Sequence, residues 1–144
     1  MNGHDVIDGV SRGKLQSFAE ILRGMEQYDA PVTNHFANGL YAREMFLTKG
    51  ACVVGKIHKY PQINVLSKGK VSLITQAGSQ IVEAGFHMIA PAGSQRAFFA
   101  HEDSIWTVFH VTEETDVDKI EDHFIAQTER EYLQFKEEQL CLGS

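Results

Sequence analysis

The chain has 144 residues, of which 43% are hydrophobic and 22% charged, and its formal net charge is −6. This length is sufficient for one domain with a packed core, and the composition is typical of a globular rather than a disordered protein. The acidic balance and the lack of any basic run argue against nucleic acid as a partner.

The two cysteines, Cys52 and Cys141, do not form a CxxC pair. Isolated cysteines without a regular spacing are typical of reduced thiols rather than of a disulfide framework. The first ten residues lack the basic start and apolar core of a signal peptide, and no apolar stretch approaches the roughly 20 residues of a membrane span. We therefore expect a cytoplasmic protein without a membrane partner.

The first part of the chain, residues 1–39, is predicted to form a polar tail and a helix. An apolar stripe with helical spacing begins after Ser11 and ends before the Asp29–Pro31 turn. Its members are Leu15, Phe18, Ala19, Leu22 and Met25. We expect this helix to pack on the domain that follows or on a partner subunit.

Residues 40–112 are divided into short apolar runs by turns rich in glycine and proline, a pattern that predicts about eight strands of a small antiparallel barrel or jelly roll. The predicted strands are Leu40–Thr48, Ala51–His58, Ile63–Leu66, Lys70–Thr75, Gln80–Glu83, His87–Ala90, Gln95–Ala100 and Ile105–Val111. Residues 113–144 are predicted to form a C-terminal helix and tail. Thr115–Asp118 has the form of a helix N-cap.

Two segments within the β-region have regularly spaced glycines. The first places Gly50 five residues before Lys56-x-His58, followed after three residues by Gln62 and after six more by Gly69. Alternation along a strand puts Lys56 and His58 on the same face. Because one face of a small closed barrel must point inward, these side chains can converge with others in the interior.

The second segment places Gly85 five residues before Pro91-x-Gly93, followed after two residues by Arg96 and after three more by Ala100. Together the two segments resemble the two conserved motifs of the cupin superfamily, with every glycine and the proline in register. The resemblance implies an all-β, single-domain cupin jelly-roll β-barrel with an N-terminal and a C-terminal α-helix.

In metal-binding cupins, two histidines, a glutamate and a further histidine of these motifs hold a divalent ion. The corresponding positions here carry Lys56, His58, Gln62 and Arg96. Two cations would repel a metal, whereas an arginine fork and a lysine ammonium are suited to a carboxylate or phosphate. We therefore expect no metal cofactor and a small anionic ligand, such as a phosphate, nucleotide or carboxylate.

A purely structural role for these cations is the competing interpretation. Lys56 would then extend to solvent at the barrel rim, and Arg96 would be neutralised by Glu83 or Asp103. The pocket would in that case be vestigial, and the protein would have a structural or interaction role.

The last predicted strand alternates so that Trp106 and His110 share one face. His110 can then approach His58, which suggests an alternative metal site for zinc, iron or manganese, with a third ligand that the spacing does not identify. Such a site would make the protein a metal-dependent oxygenase, isomerase or lyase. Tyr60 and Trp106 are candidates to stack on a ligand ring.

Residues 40–125 also resemble small uncharacterised cupin-like proteins of tailed bacteriophages, through GKIHK, INVLSKGKV, AHEDSIWTVFH and TEETDVDKIE. This resemblance implies a phage accessory or virion-associated protein acting in the host cytoplasm. Single-domain cupins commonly pair through strands and terminal helices, and a homodimer is therefore expected.

Overall fold

The structure is a computed structural model that describes residues 28–75 and 78–142, so that the predicted N-terminal helix lies outside the described residues. Its strands are β1 Val32–Ala37, β2 Leu40–Leu47, β3 Cys52–Val54, β4 Ile57–His58, β5 Gln62–Lys68, β6 Lys70–Thr75, β7 Gly78–Glu83, β8 His87–Ala90, β9 Ala97–Ala100, β10 Ser104–Val111 and β11 Ile125–Ala126. Its helices are α1 Val117–Phe124 and α2 Glu129–Leu142. Within these residues, no helix is long and apolar enough to cross a membrane.

The strands form two antiparallel sheets, which confirms the predicted jelly-roll class. One sheet has the order β1-β2-β10-β5-β8 and the other the order β3-β9-β6-β7, with a two-stranded β11-β4 pair beside them. Apolar side chains from both sheets form the core, because alternate residues of each strand point inward. The largest side chains of this core that are fully buried are Leu47, Leu66, Leu73 and Trp106.

Most predicted strands are present, with two differences that affect the site. The strand predicted over residues 51–58 is interrupted at Gly55 and Lys56, where the Gly55 amide donates instead to the carbonyl of Arg96 at 2.7 Å. An additional strand, β1, lies within the segment assigned to the N-terminal tail and helix, and it pairs with β2. All six residues of β1 are exposed, so they lack the apolar alternation by which a strand is recognised.

The glycine at the end of the first motif is required by close packing. Gly69 has a φ of +91°, and a Cβ there would lie 2.1 Å from Ser104 Oγ and 2.4 Å from the carbonyl oxygen of Asp103. At Gly85, φ is also positive, at +98°, but a Cβ would meet nothing within 4 Å. Substitutions at the two glycines therefore differ in one respect: both strain the backbone, but only a side chain at Gly69 would also overlap other atoms.

We expect Gly85→Ala to lower the free energy of unfolding by about 1 kcal/mol, the cost of a left-handed backbone conformation. Gly69→Ala should lower it by about 2–3 kcal/mol, because the overlap with backbone atoms adds to that strain. Urea denaturation of both variants measures the difference. Equal losses would contradict the requirement for close packing at Gly69.

The C-terminal region begins at the predicted cap and then departs from the prediction of a single helix. Asp116 is the N-cap of α1, and its carboxylate accepts a hydrogen bond from the amide of Asp118 at 3.0 Å. The chain leaves α1 in the short strand β11, in which Ile125 pairs with His58 of β4. This pairing holds α1 next to the two-stranded β11-β4 element, and α2 follows as a separate helix.

Candidate functional site

A cavity of about 290 Å³ lies inside the barrel, with α1 contributing one wall. Its apolar lining consists of Met45, Val53, Val54, Gly55, Phe98, Trp106, Val108, Val117, Ile120, Phe124 and Ile125. Its polar lining consists of Tyr41, Arg43, Lys56, His58, Arg96, His110 and Glu121. The cavity therefore combines an extensive hydrocarbon surface with a small set of polar and charged groups.

Arg96 is the buried charge of this cavity. Its side chain lies just before β9 and is only 4% exposed. Its Nη1 donates to Ser94 Oγ at 3.4 Å, and its Nη2 donates to Asn64 Oδ1 at 3.2 Å and to His58 Nε2 at 3.3 Å. None of these three partners carries a negative charge that would stabilise the guanidinium. Burial therefore lowers the pKa of Arg96 to about 10.

The acidic residues considered as partners for Arg96 are engaged elsewhere. Glu83 lies 3.8 Å from Lys70, and Asp103 accepts a hydrogen bond from the backbone amide of Lys49 at 2.9 Å. Within residues 28–75 and 78–142, Arg96 forms no ion pair with a carboxylate. A buried guanidinium is thus left without a counter-charge from that part of the chain.

Asn64 holds Arg96 in place, and it was not anticipated from the sequence. Its Oδ1 accepts from Arg96 Nη2 and also from Trp106 Nε1, each at 3.2 Å. Because both partners can only donate, they fix which end of the amide is the oxygen. Asn64 occupies an inward position of β5 between Gln62 and Leu66, so the alternation of that strand was the available signal.

His58 and His110 lie face to face in the cavity wall, with ring centroids 5.8 Å apart and an interplanar angle of 17°. Burial, followed by the charge of Arg96, lowers the pKa of His58 to about 2. Burial, followed by the charges of Arg43 and Arg96, lowers the pKa of His110 to about 4. Both rings are therefore neutral at neutral pH.

The neutral His58 ring has a defined tautomer. Since Arg96 can only donate, His58 Nε2 must accept, and the ring proton then resides on Nδ1. His58 Nδ1 is one of five buried side-chain atoms that lack a hydrogen-bond partner among the described residues; the others are Gln62 Nε2, Gln62 Oε1, Asn64 Nδ2 and Arg96 Nε. Three of the five, on His58, Asn64 and Arg96, are donors within the hydrogen-bonded group around Arg96, whereas Gln62 leaves one donor and one acceptor unpaired.

Two further cations, Lys56 and Arg43, line the cavity, and only one of them is neutralised. Lys56 Nζ forms an ion pair with Glu121 of α1, and this hydrogen bond is the main cause of the lowered pKa of Glu121. Arg43, which the sequence analysis did not select, is exposed and forms no ion pair within the described part of the chain. Arg43 lies on β2 between Tyr41 and Met45, both inward-facing, so alternation would also have identified it.

The remaining predicted site residues have different positions. Trp106 is 1% exposed and forms part of the cavity wall. Tyr60 is not among the cavity-lining residues; its ring stacks on His123 with centroids 5.1 Å apart and meets Phe135 edge-on. Gln62 is 4% exposed and lies on the inward face of β5, but it also does not line the cavity. The structure thus brings together Lys56, His58, Arg96, Trp106 and His110.

Solved structures with similar folds come from several bacteria. A cupin superfamily protein of Desulfitobacterium hafniense aligns with a TM-score of 0.50 at 7% identity, over 60% of this chain and 81% of that chain. This is a cupin fold. A protein described as an ethanolamine utilization protein, from Salmonella typhimurium, aligns with a TM-score of 0.50 at 16% identity, over 60% of this chain and 72% of that chain.

A further match is salicylate 1,2-dioxygenase from Pseudoaminobacter salicylatoxidans, with a TM-score of 0.51 at 12% identity. The alignment covers 68% of this chain but only 30% of the dioxygenase. No family model and no curated protein sequence matches the chain. The similarities therefore establish the cupin fold, and the resemblance to phage proteins stays a prediction.

The residues at the usual cupin metal position do not fit a divalent ion. Lys56 is paired with Glu121, Arg96 is itself a buried cation, and the Nε2 lone pair of His58 already accepts from Arg96. His110 is the second imidazole, but within the described residues no group of three or more His, Cys, Asp or Glu side chains could hold a metal. The donors instead favour a ligand that accepts hydrogen bonds and carries negative charge.

Proposed function

We propose that this protein is a small-molecule-binding cupin whose barrel holds an anion in place of the usual metal. The observation that carries the proposal is the buried guanidinium of Arg96, which has no carboxylate partner within the described residues and an unpartnered Nε. Leaving a buried charge uncompensated is costly, and an anionic ligand supplies both the missing charge and the missing acceptor.

The neighbouring groups support the same role. The Nδ1–H of His58, which lines the cavity, is a further donor beside Arg96 and has no partner among the described residues. The exposed cation Arg43 also lines the cavity and would attract an anion to it. Hydrogen bonds between charged groups and an anion are about twice as strong as neutral ones, so this set favours an anion over a neutral ligand.

Thermal-shift measurements with inorganic phosphate and acetate test the proposal. A ligand at 100 times its Kd stabilises the folded state by about 2.7 kcal/mol, which is readily detected. We expect the shift to be lost in Arg96→Gln, because the guanidinium is removed. It should be retained in Lys68→Gln, a matched control that removes one exposed positive charge outside the cavity lining.

Two results would contradict the proposal. The first is an absence of any anion-dependent shift, or an equal loss of the shift in Arg96→Gln and Lys68→Gln. The second is one equivalent of transition metal in the purified protein that disappears in His58→Ala, since that would favour a metal-dependent enzyme built on His58 and His110.

Two further parts of the proposal come from the resemblance to cupins and to cupin-like phage proteins. They are that the protein forms a homodimer and that it is a phage accessory protein. Exposed apolar side chains on the five-stranded sheet support a subunit contact, notably Ile63, Ile89 and Val111, which are 51%, 75% and 82% exposed. The competing virion-associated role would be favoured if the protein co-purified with capsid or tail proteins.

A further inference from the structure

The charge of the cavity is concentrated at one place. Among the described residues that line the cavity, Arg96 is the only fully buried cation, whereas Arg43 is exposed and the charge of Lys56 is matched by Glu121. The indole N–H of Trp106 already donates to Asn64 and is not available to a ligand. The polar end of the cavity is therefore suited to one acceptor group carrying one negative charge.

Most of the remaining wall is hydrocarbon and aromatic. The ring of Phe98 packs against that of Trp106, with centroids 4.8 Å apart. From α1, Ile120 and Phe124 add two buried apolar side chains, and the Phe124 ring lies 4.3 Å from the ring of His110. Such walls offer water few hydrogen-bond partners, so that an apolar group in this space gains free energy by displacing it.

The contrast between the polar end and the apolar remainder of the wall indicates which anions Arg96 could bind. A phosphate group carries about −1.5 to −2 charges at neutral pH, which is more than one buried guanidinium can match; the other unpaired cation of the lining, Arg43, is exposed and screened by solvent. A carboxylate carries a single charge and fits the planar fork of arginine. The volume of about 290 Å³ lies just below the range of about 300–1,000 Å³ for small-molecule sites, which favours a small ligand.

Building on the proposed anion site, we infer that the ligand is a small monocarboxylic acid with an apolar body. Its carboxylate binds the guanidinium of Arg96 and the neighbouring Nδ1–H of His58, both of which line the cavity. Its aliphatic or aromatic body lies against Phe98 and beneath Ile120 and Phe124. Nucleotides and inorganic phosphate are thereby disfavoured relative to organic acids.

The position of Trp106 provides a direct measurement. It is the only tryptophan in the chain and it lines the cavity, so its fluorescence reports on occupancy. We would titrate the purified full-length protein with acetate, butyrate and hexanoate, and with inorganic phosphate. Burial of one methylene contributes about 0.8 kcal/mol, so the affinity should rise about fourfold for each added methylene.

Three comparisons separate the contributions of charge and of apolar contact to the binding affinity. Hexanamide, which has the same chain but no charge, should bind at least about tenfold more weakly than hexanoate, as should hexanoate to Arg96→Gln. Phe124→Leu, which reduces the apolar wall conservatively, should weaken hexanoate more than acetate. The ligand series in the unmodified protein remains decisive if that variant does not fold.

The possible outcomes distinguish this inference from the proposal on which it rests. If affinity does not increase with chain length, and phosphate binds in an Arg96-dependent manner, the organic-acid inference is overturned while the anion site stands. If no anion binds through Arg96, or if hexanamide binds as tightly as hexanoate, both are overturned. A rise with chain length that is lost in Arg96→Gln supports both.

Discussion

Replacing Arg96 with methionine is expected to make the ligand-free protein more stable while abolishing anion binding. Burial lowers the pKa of Arg96 from 12.5 to about 10, which corresponds to about 3 kcal/mol of unfavourable free energy for the charged form. Methionine has a similar length and no charge to desolvate. Allowing for the loss of hydrogen bonds to Ser94, Asn64 and His58, we expect a net gain of about 1–2 kcal/mol in the free energy of unfolding.

Urea denaturation in a buffer free of carboxylates and phosphate measures this effect, and ligand titration of the same variant measures the loss of binding. Arg96→Lys is the matched control, because lysine retains the charge but not the bidentate fork. That variant should bind anions more weakly without gaining stability. If Arg96→Met were instead less stable by more than about 1 kcal/mol, Arg96 would be a structural brace rather than part of a ligand site.

The stability of the protein is expected to rise with pH between about pH 5 and pH 7 because of His58 and His110. Their pKa values fall from 6.5 in the unfolded chain to about 2 and about 4 in the folded protein. Between the folded and unfolded pKa values the unfolded chain binds more protons, so acidification favours unfolding. The stability present above the unfolded pKa of 6.5 is lost progressively as the pH falls towards these folded values.

The magnitude for each ring is about 2 kcal/mol between pH 8 and pH 5, or about 4 kcal/mol for the two together. Urea denaturation at several pH values across this range would measure it. His110→Phe preserves the stacking against Tyr41 and Phe124 but removes the titrating group, and it should reduce the pH dependence by about half. An unchanged pH dependence in this variant would show that His110 is not held neutral by the fold.

Much of the fold could be predicted because it depends on local features. Glycine and proline spacing identified the turns, and most strand boundaries agree to within one to three residues because apolar runs and turn residues both mark them. Strand β1 was missed, since its residues are exposed on both faces and carry no alternation. Its pairing with β2 is a local hairpin closed by the two residues Asn38 and Gly39, and this Asn-Gly pair was the available sequence signal.

The candidate site was predictable only in part, because contacts between distant segments position several of its side chains. Alternation correctly brought Trp106 and His110 to one inward face, and the motif spacing brought His58 and Arg96 to the same cavity. Lys56, in contrast, lies where the predicted strand is interrupted, and it pairs with a helix whose position over the barrel was not predictable.

The positions of the remaining residues depend still more on tertiary structure. Arg43 and Asn64 were visible in the alternation of their strands but had no counterpart in the cupin motifs. Tyr60 is diverted from the cavity by rings of the C-terminal helices, His123 and Phe135, with which it packs. Contacts between distant segments decided each of these placements.

The attachment of α1 has a kinetic consequence. This helix forms part of the cavity wall, and it is joined to the barrel by the two-residue β11-β4 ladder, the Lys56–Glu121 pair and hydrogen bonds from Lys59 to Asp122 and Phe124. Its apolar side chains Ile120 and Phe124 add packing against Tyr41 and His110. A short segment outside the two main sheets, held in this way, opens at lower free energy than the central strands of a sheet. We expect α1 to open before the sheets do, so that the residence time of a bound molecule is governed by the lifetime of the helix contacts rather than by global unfolding.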